Sequence, residues 1–111
     1  MFDKAGAGER LSARSLQVIA AVGHLLLAHV ELGRLRIEGH TDDRGSAVAN
    51  LDLSLARAQL VRRRLVEVHK VDARRLTAQG FGGNRPLDDN ARPEGRARNR
   101  RIEITILDAP R

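Results

Sequence analysis

The run Ile37-Glu38-Gly39-His40-Thr41-Asp42-Asp43-Arg44-Gly45, continued by Asn50, Leu53-Ser54 and Arg57-Ala58, constrains the fold more than any other stretch. Leu35 and Ile37 alternate with Arg36 and Glu38, the pattern of a half-buried strand over Arg34 to Glu38. Thr41 to Gly45 is turn chemistry, and a helix follows from Ala47 or Asn50 to His69. Leu51, Leu55, Ala58, Val61, Leu65 and Val68 recur at helical spacing and are its expected core stripe. The unit is therefore a strand, a tight polar loop and a long helix.

Within it, Asn50 and Arg57 are two turns apart and share one stripe to within about 20°. That stripe borders the apolar face, so both side chains can lean toward the loop that carries Asp42. An aspartate takes an ammonium, and an arginine fork takes a carboxylate. Loop and helix-start N–H groups can serve the remaining carboxylate oxygen. Asp42 and Arg57 are thus a candidate clamp for a small zwitterion. The plain alternative is that Asp42 caps its own turn and Arg57 pairs with it structurally.

Elsewhere the chain supplies scaffold. A helix is expected from Ser12, capped by Ser12 or Ser15, with Leu16, Ile19, Ala20, Gly23, Leu26, Leu27 and Val30 inward and Leu32-Gly33 closing it. His24 and His29 are ordinary residues of that helix. Gly6 and Gly8 mark a flexible turn after the short start Met1 to Lys4. Lys70-Val71-Asp72 ends the second helix, and Leu76, Ala78 and Gly80 alternate as a weaker strand. Phe81 to Pro86 is a loop, and Asp88 to Arg98 is polar with room for a helical turn. Ile102, Ile104 and Ile106 point inward from a final strand, with Arg101, Glu103 and Thr105 outward and a frayed tail from Asp108. Strands interleaved with helices predict an α/β or α+β sandwich with helices packed on a sheet.

The 111 residues are enough for one domain with a modest core. No apolar run approaches the ~18 residues of a membrane span, and no signal peptide is evident. The chain is then either cytosolic or one domain of a longer exported protein. Without cysteine there is no disulfide, thiolate catalysis or Cys-ligated zinc. The charge of +6 raises nucleic acid as a partner. Two Phe and no Tyr or Trp leave almost no base-stacking surface, and the basic residues, eighteen of twenty of them arginine, are interspersed with acids. Ser54 lacks the Gly-x-Ser-x-Gly context of a hydrolase. His40, Asp42 and Asp43 lack the distant third anchor of a catalytic zinc site. The expectation is a binding domain, not an enzyme, with no cofactor and no metal.

Gly39-His40-Thr41-Asp42, Gly45, Asn50, Leu53-Ser54, Arg57-Ala58, Gly80-Phe81-Gly82, Pro86 and Gly95-Arg96-Ala97-Arg98-Asn99-Arg100-Arg101 together resemble the OmpA-like domain over Phe2 to about Leu107. That family is shared by OmpA C-terminal domains, peptidoglycan-associated lipoproteins and flagellar motor stator proteins. The resemblance implies an α+β fold, a mixed sheet with helices on one face in the order β-α-β-α-β-β. It implies non-covalent binding of peptidoglycan through the diaminopimelate of the stem peptide. Asp42 and Arg57 match the residues that grip its ammonium and carboxylate, Asn50 and Thr41 match supporting contacts, Phe2-Asp3 the pair bordering the pocket, and Arg100 a basic residue at the rim. It also implies a periplasmic, outer-membrane-associated setting, with residues 1–111 one domain cut from a longer envelope protein and tethered through its other parts. Against this stands a basic, arginine-rich domain that binds proteins or nucleic acid.

Overall fold

The computed structural model describes residues 2–5 and 8–108, with the backbone alone over 2–5 and 8–10. Strands β1 (Phe2–Ala5) and β2 (Gly8–Leu11) form an antiparallel hairpin of their own. Helix α1 (Ala13–Ala28) leads to β3 (Leu35–His40), α2 (Ala47–Glu67), β4 (Leu76–Gly80), α3 (Pro93–Asn99) and β5 (Arg101–Ile106). The main sheet has the order β4-β3-β5, with β4 parallel and β5 antiparallel to the central β3. The fold is α+β with a mixed sheet, as expected. Its order departs from β-α-β-α-β-β at β2, where a flexible turn was expected, and at α3. Gly6 and Ala7 of that turn lie outside the described residues.

Register sorts the sheet into two faces. Leu35, Ile37 and Gly39 align with Leu76, Ala78 and Gly80 on one side, and with Ile106, Ile104 and Ile102 on the other. This face receives Ile19 and Leu26 of α1 and Ala58, Val61 and Leu65 of α2, which form the buried core with Leu35, Ile37, Val71 and Leu76. Burying side chains of this size stabilises by about 1.5–3 kcal/mol each before conformational entropy is counted. Ile106, expected inward, is 40% exposed at the end of β5, an edge strand.

The stripe of α2 keeps Ala58, Val61 and Leu65 of the expected set and adds Ser54, while Leu51, Leu55 and Val68 drop out of it. Leu51, Leu55 and Val68 are 44%, 36% and 47% exposed. Gly39 and Gly80 explain the difference. A Cβ on Gly39 would sit 2.0 Å from the Ser54 carbonyl oxygen, and one on Gly80 would sit 2.5 Å from the Leu55 nitrogen. The helix backbone rests directly on the two strands, leaving room beneath it for a serine and none for a leucine. Ser54 Oγ donates to the Leu51 carbonyl (2.8 Å) and accepts from the Gly82 N–H (2.9 Å).

Helix α1 also ends earlier than its apolar spacing implies. Its cap is His29, a short 3-10 turn covers Val30–Leu32, and Gly33 closes that turn at φ 69°. Val30 therefore leaves the stripe and is exposed, and Leu27, still within the helix, faces outward. Arg75 donates to the carbonyls of Leu26 (2.7 Å), His29 (3.1 Å) and Gly33 (2.9 Å), satisfying acceptors at the helix end. Glu38, expected outward, is buried, because the second sheet face is covered by its own side chains and by Phe81 stacked on His40 at 5.3 Å. Asp108 is not frayed: it accepts from the Arg34 backbone N–H (2.9 Å) and from the Arg34 guanidinium through both oxygens. Residues 109–111 of the expected tail lie outside the described residues.

Candidate functional site

Because β3 and β4 are parallel and β5 runs back, three segments meet at one end of the sheet. These are the exit of β3 at Thr41, the exit of β4 at Phe81 and the entry of β5 at Arg101. The start of α2 closes the same end, its first turn capped by Ser46, whose side chain accepts from the Ala49 N–H. The loop after β3 is fixed from three directions. Thr41 N–H donates to the Gly82 carbonyl (2.9 Å), and Thr41 Oγ1 donates to the Asp42 carbonyl (2.8 Å). Asn50 of α2 donates to the Arg44 carbonyl (2.9 Å) and, at 3.4 Å, to that of Asp42. Gly83 approaches so closely that a Cβ there would lie 2.7 Å from the Asp42 carbonyl oxygen.

Asp42 is the centre of this loop. It is 9% exposed; Oδ1 accepts from the Arg44 N–H (3.0 Å) and Oδ2 pairs with Arg100 Nη1 (2.8 Å). Burial pushes its carboxyl upward, but the Arg100 guanidinium and the Arg44 N–H outweigh that and hold it below the ordinary carboxylate range. The turn-capping role weighed for Asp42 is thus present, and its guanidinium partner here is Arg100.

Arg100 is held in place by its neighbour. Asn99 is fully buried; its Oδ1 accepts from the N–H groups of Leu87 (2.7 Å) and Asp88 (3.0 Å). Its amide donates to the Asp88 carbonyl (3.0 Å) and to Asn90 Oδ1 (2.7 Å). A single asparagine thereby pins the segment before α3 to the end of that helix, one residue before Arg100. The sequence marked Asn99 only as part of a block; its isolated amide gives no periodic signal from which this role could be read.

Of the expected site residues, Thr41, Asp42, Asn50 and Arg100 are brought together. Arg57 is half-buried on α2, where it lines a shallow groove of about 310 Å³ with Leu53, Ala56, Gln59, Leu60 and Arg63. Phe2 and Asp3 lie on β1, and their side chains lie outside the described residues. Phe81 stacks on His40 and carries the Arg85 guanidinium 3.8 Å above its ring, a packed wall behind the loop.

A mixed sheet backed by helices, with a nearly buried aspartate set into a braced loop at one end, defines the class as an α+β domain. The OmpA family model matches residues 6–100, and the chain belongs to that family, one of non-catalytic domains. It is 54% identical over 71 residues to the outer membrane protein Omp38 of Acinetobacter baumannii, covering 64% of this chain and 20% of that protein. It is 42% identical over 73 residues to the peptidoglycan-binding protein ArfA of Mycobacterium tuberculosis, covering 66% and 22%. The chain thus spans about a fifth of the length of these two relatives. Among solved structures it resembles the cell wall anchor of the type VI secretion system of Pseudomonas aeruginosa, with TM-score 0.77 and 36% identity over 93% of this chain and 73% of that one.

Proposed function

We propose that this domain binds peptidoglycan non-covalently through the diaminopimelate of the stem peptide, and so anchors an envelope protein to the cell wall in the periplasm. The observation that carries the reading is Asp42: nearly buried, ionised, and fixed at the mouth of a braced loop with a guanidinium against it. A free amino acid head bears one ammonium and one carboxylate. The ammonium goes to Asp42, which retains acceptor capacity beyond its two present bonds. The carboxylate goes to Arg57, as in the family pattern, with the outward donors of Arg100 at the rim. Membership in the OmpA family, and relatives named for peptidoglycan binding and for wall anchoring, support the same reading.

The test is co-sedimentation with purified sacculi, wild type beside Asp42→Asn and Arg57→Ala, with circular dichroism to verify folding. Binding that survives both substitutions overturns the clamp. Retention that falls steeply with salt and ignores Asp42 would instead identify a generic polyanion binder.

A further inference from the structure

The sheet face turned away from the helices carries a cluster that the peptidoglycan reading does not use. Glu38 of β3 and Glu103 of β5 are direct cross-strand partners, an arrangement in which like charges repel. His40 projects from the same face two residues beyond Glu38. Its Nε2 lies 3.2 Å from Glu103 Oε2 and 3.9 Å from Glu38 Oε1, and one ligand atom from each of the three residues falls within 4.8 Å of the others. The His40 side chain is 1% exposed, and neither of its ring nitrogens has a hydrogen-bond partner among the described residues. An orphaned buried imidazole beside two opposed carboxylates calls for a physical explanation.

We propose that Glu38, His40 and Glu103 form a binding site for a divalent transition-metal ion of the zinc type. Ligand bonds of about 2.0–2.2 Å in tetrahedral geometry place neighbouring donor atoms about 3.4 Å apart, close to the spacing already present. His40 and Glu103 already stand at 3.2 Å, so the contraction needed between His40 and Glu38, from 3.9 Å, falls to a rotation of the Glu38 carboxylate, while Glu103, whose side chain is 43% exposed, opens to solvent, where a water completes the set. The other oxygen of each carboxylate faces an arginine: Arg36 Nε donates to Glu38 Oε2 at 2.8 Å, and Arg101 Nε lies 3.3 Å from Glu103 Oε1 as an ion pair without a hydrogen bond. Outer partners of this kind orient metal ligands. Stacking on Phe81 fixes the imidazole plane. His40, Asp42 and Asp43 alone lack a distant anchor; Glu103, reached only through the β3–β5 register, is that anchor. The neighbouring arginines weaken the site relative to one with two unpaired carboxylates.

The test is titration of the 111-residue chain with Co2+, followed by visible absorption, with Zn2+ as competitor. One saturating equivalent displaced by Zn2+ is expected. Glu103→Gln should weaken binding by at least tenfold while circular dichroism stays unchanged. A double variant, His24→Asn with His29→Asn, should bind like wild type. Hyperfine-shifted ring signals of His40 in the Co2+-loaded wild type give a readout that depends on no variant. Absence of saturable absorption, unshifted His40 signals, equal binding by Glu103→Gln, or loss of binding in the double variant would each overturn the proposal.

Discussion

Asp42 and Arg100, 58 residues apart in the chain, meet at 2.8 Å where the loop after β3 faces the end of α3. The contact ties the candidate ligand loop to the segment that Asn99 organises. It also settles how Asp42 remains ionised at 9% exposure, since a buried carboxylate without a partner would take up a proton instead.

Removing that partner should be visible before any ligand is added. In Arg100→Ala the Asp42 carboxyl should titrate at higher pH than in wild type, as read by carbon-detected NMR. Affinity for a soluble diaminopimelate muropeptide should fall in the same variant, but by less than in Asp42→Asn or Arg57→Ala. Those two truncate the proposed charge contacts themselves, for which about 2–5 kcal/mol is typical, read by calorimetry. Equal losses in all three variants would contradict a rim role for Arg100.

The close seat of α2 on the sheet makes Gly39 and Gly80 sensitive positions. Gly39→Ala places a methyl group 2.0 Å from backbone that cannot rotate away, so the whole helix must move. A loss of about 1–3 kcal/mol or more is expected by urea denaturation. Muropeptide binding should weaken as well, because Asn50 and Arg57 ride on α2.

Asn99→Ala should cost about 2–3 kcal/mol, since it leaves the N–H groups of Leu87 and Asp88 without their acceptor. Amide exchange at those two positions should accelerate far more than at Ile37 in the core.

The Asp108–Arg34 pair sets an acid-dependent term. Hydrogen bonding to the Arg34 guanidinium and backbone N–H lowers the Asp108 carboxyl from 3.8 to about 2. A depressed carboxylate stabilises fully above its unfolded value, and that contribution disappears as pH falls through the folded one. The urea midpoint of wild type should therefore exceed that of Asp108→Asn at pH 5. The gap should close between pH 3.8 and about 2.

Local alternation was enough to place β3, β4 and β5, because Leu35, Ile37, Ala78 and Ile104 repeat with the period of a pleated strand. Helix α2 was legible in extent, and in phase at Ala58, Val61 and Leu65 but not at Leu51, Leu55 and Val68. Its contact face is chosen by Gly39 and Gly80, which lie on other elements and offer no side chain to count. Glu38 was read as outward and Asp108 as the start of a frayed tail because Glu103 and Phe81, which bury the first, and Arg34, which fixes the second though it stays exposed, arrive from elsewhere in the chain. At the site, the residues that brace Asp42 locally were readable. The Asn99 staple and the Asp42–Arg100 contact depend on the packing of α3, and no spacing in the sequence encodes that.

Strands β3 and β5 run antiparallel between the Asp42 loop at one end of the sheet and Asp108, bound to Arg34, at the other. A pull applied between these two ends would act along both strands. Their antiparallel ladder would then be loaded in shear, all rungs together, instead of peeling open one rung at a time.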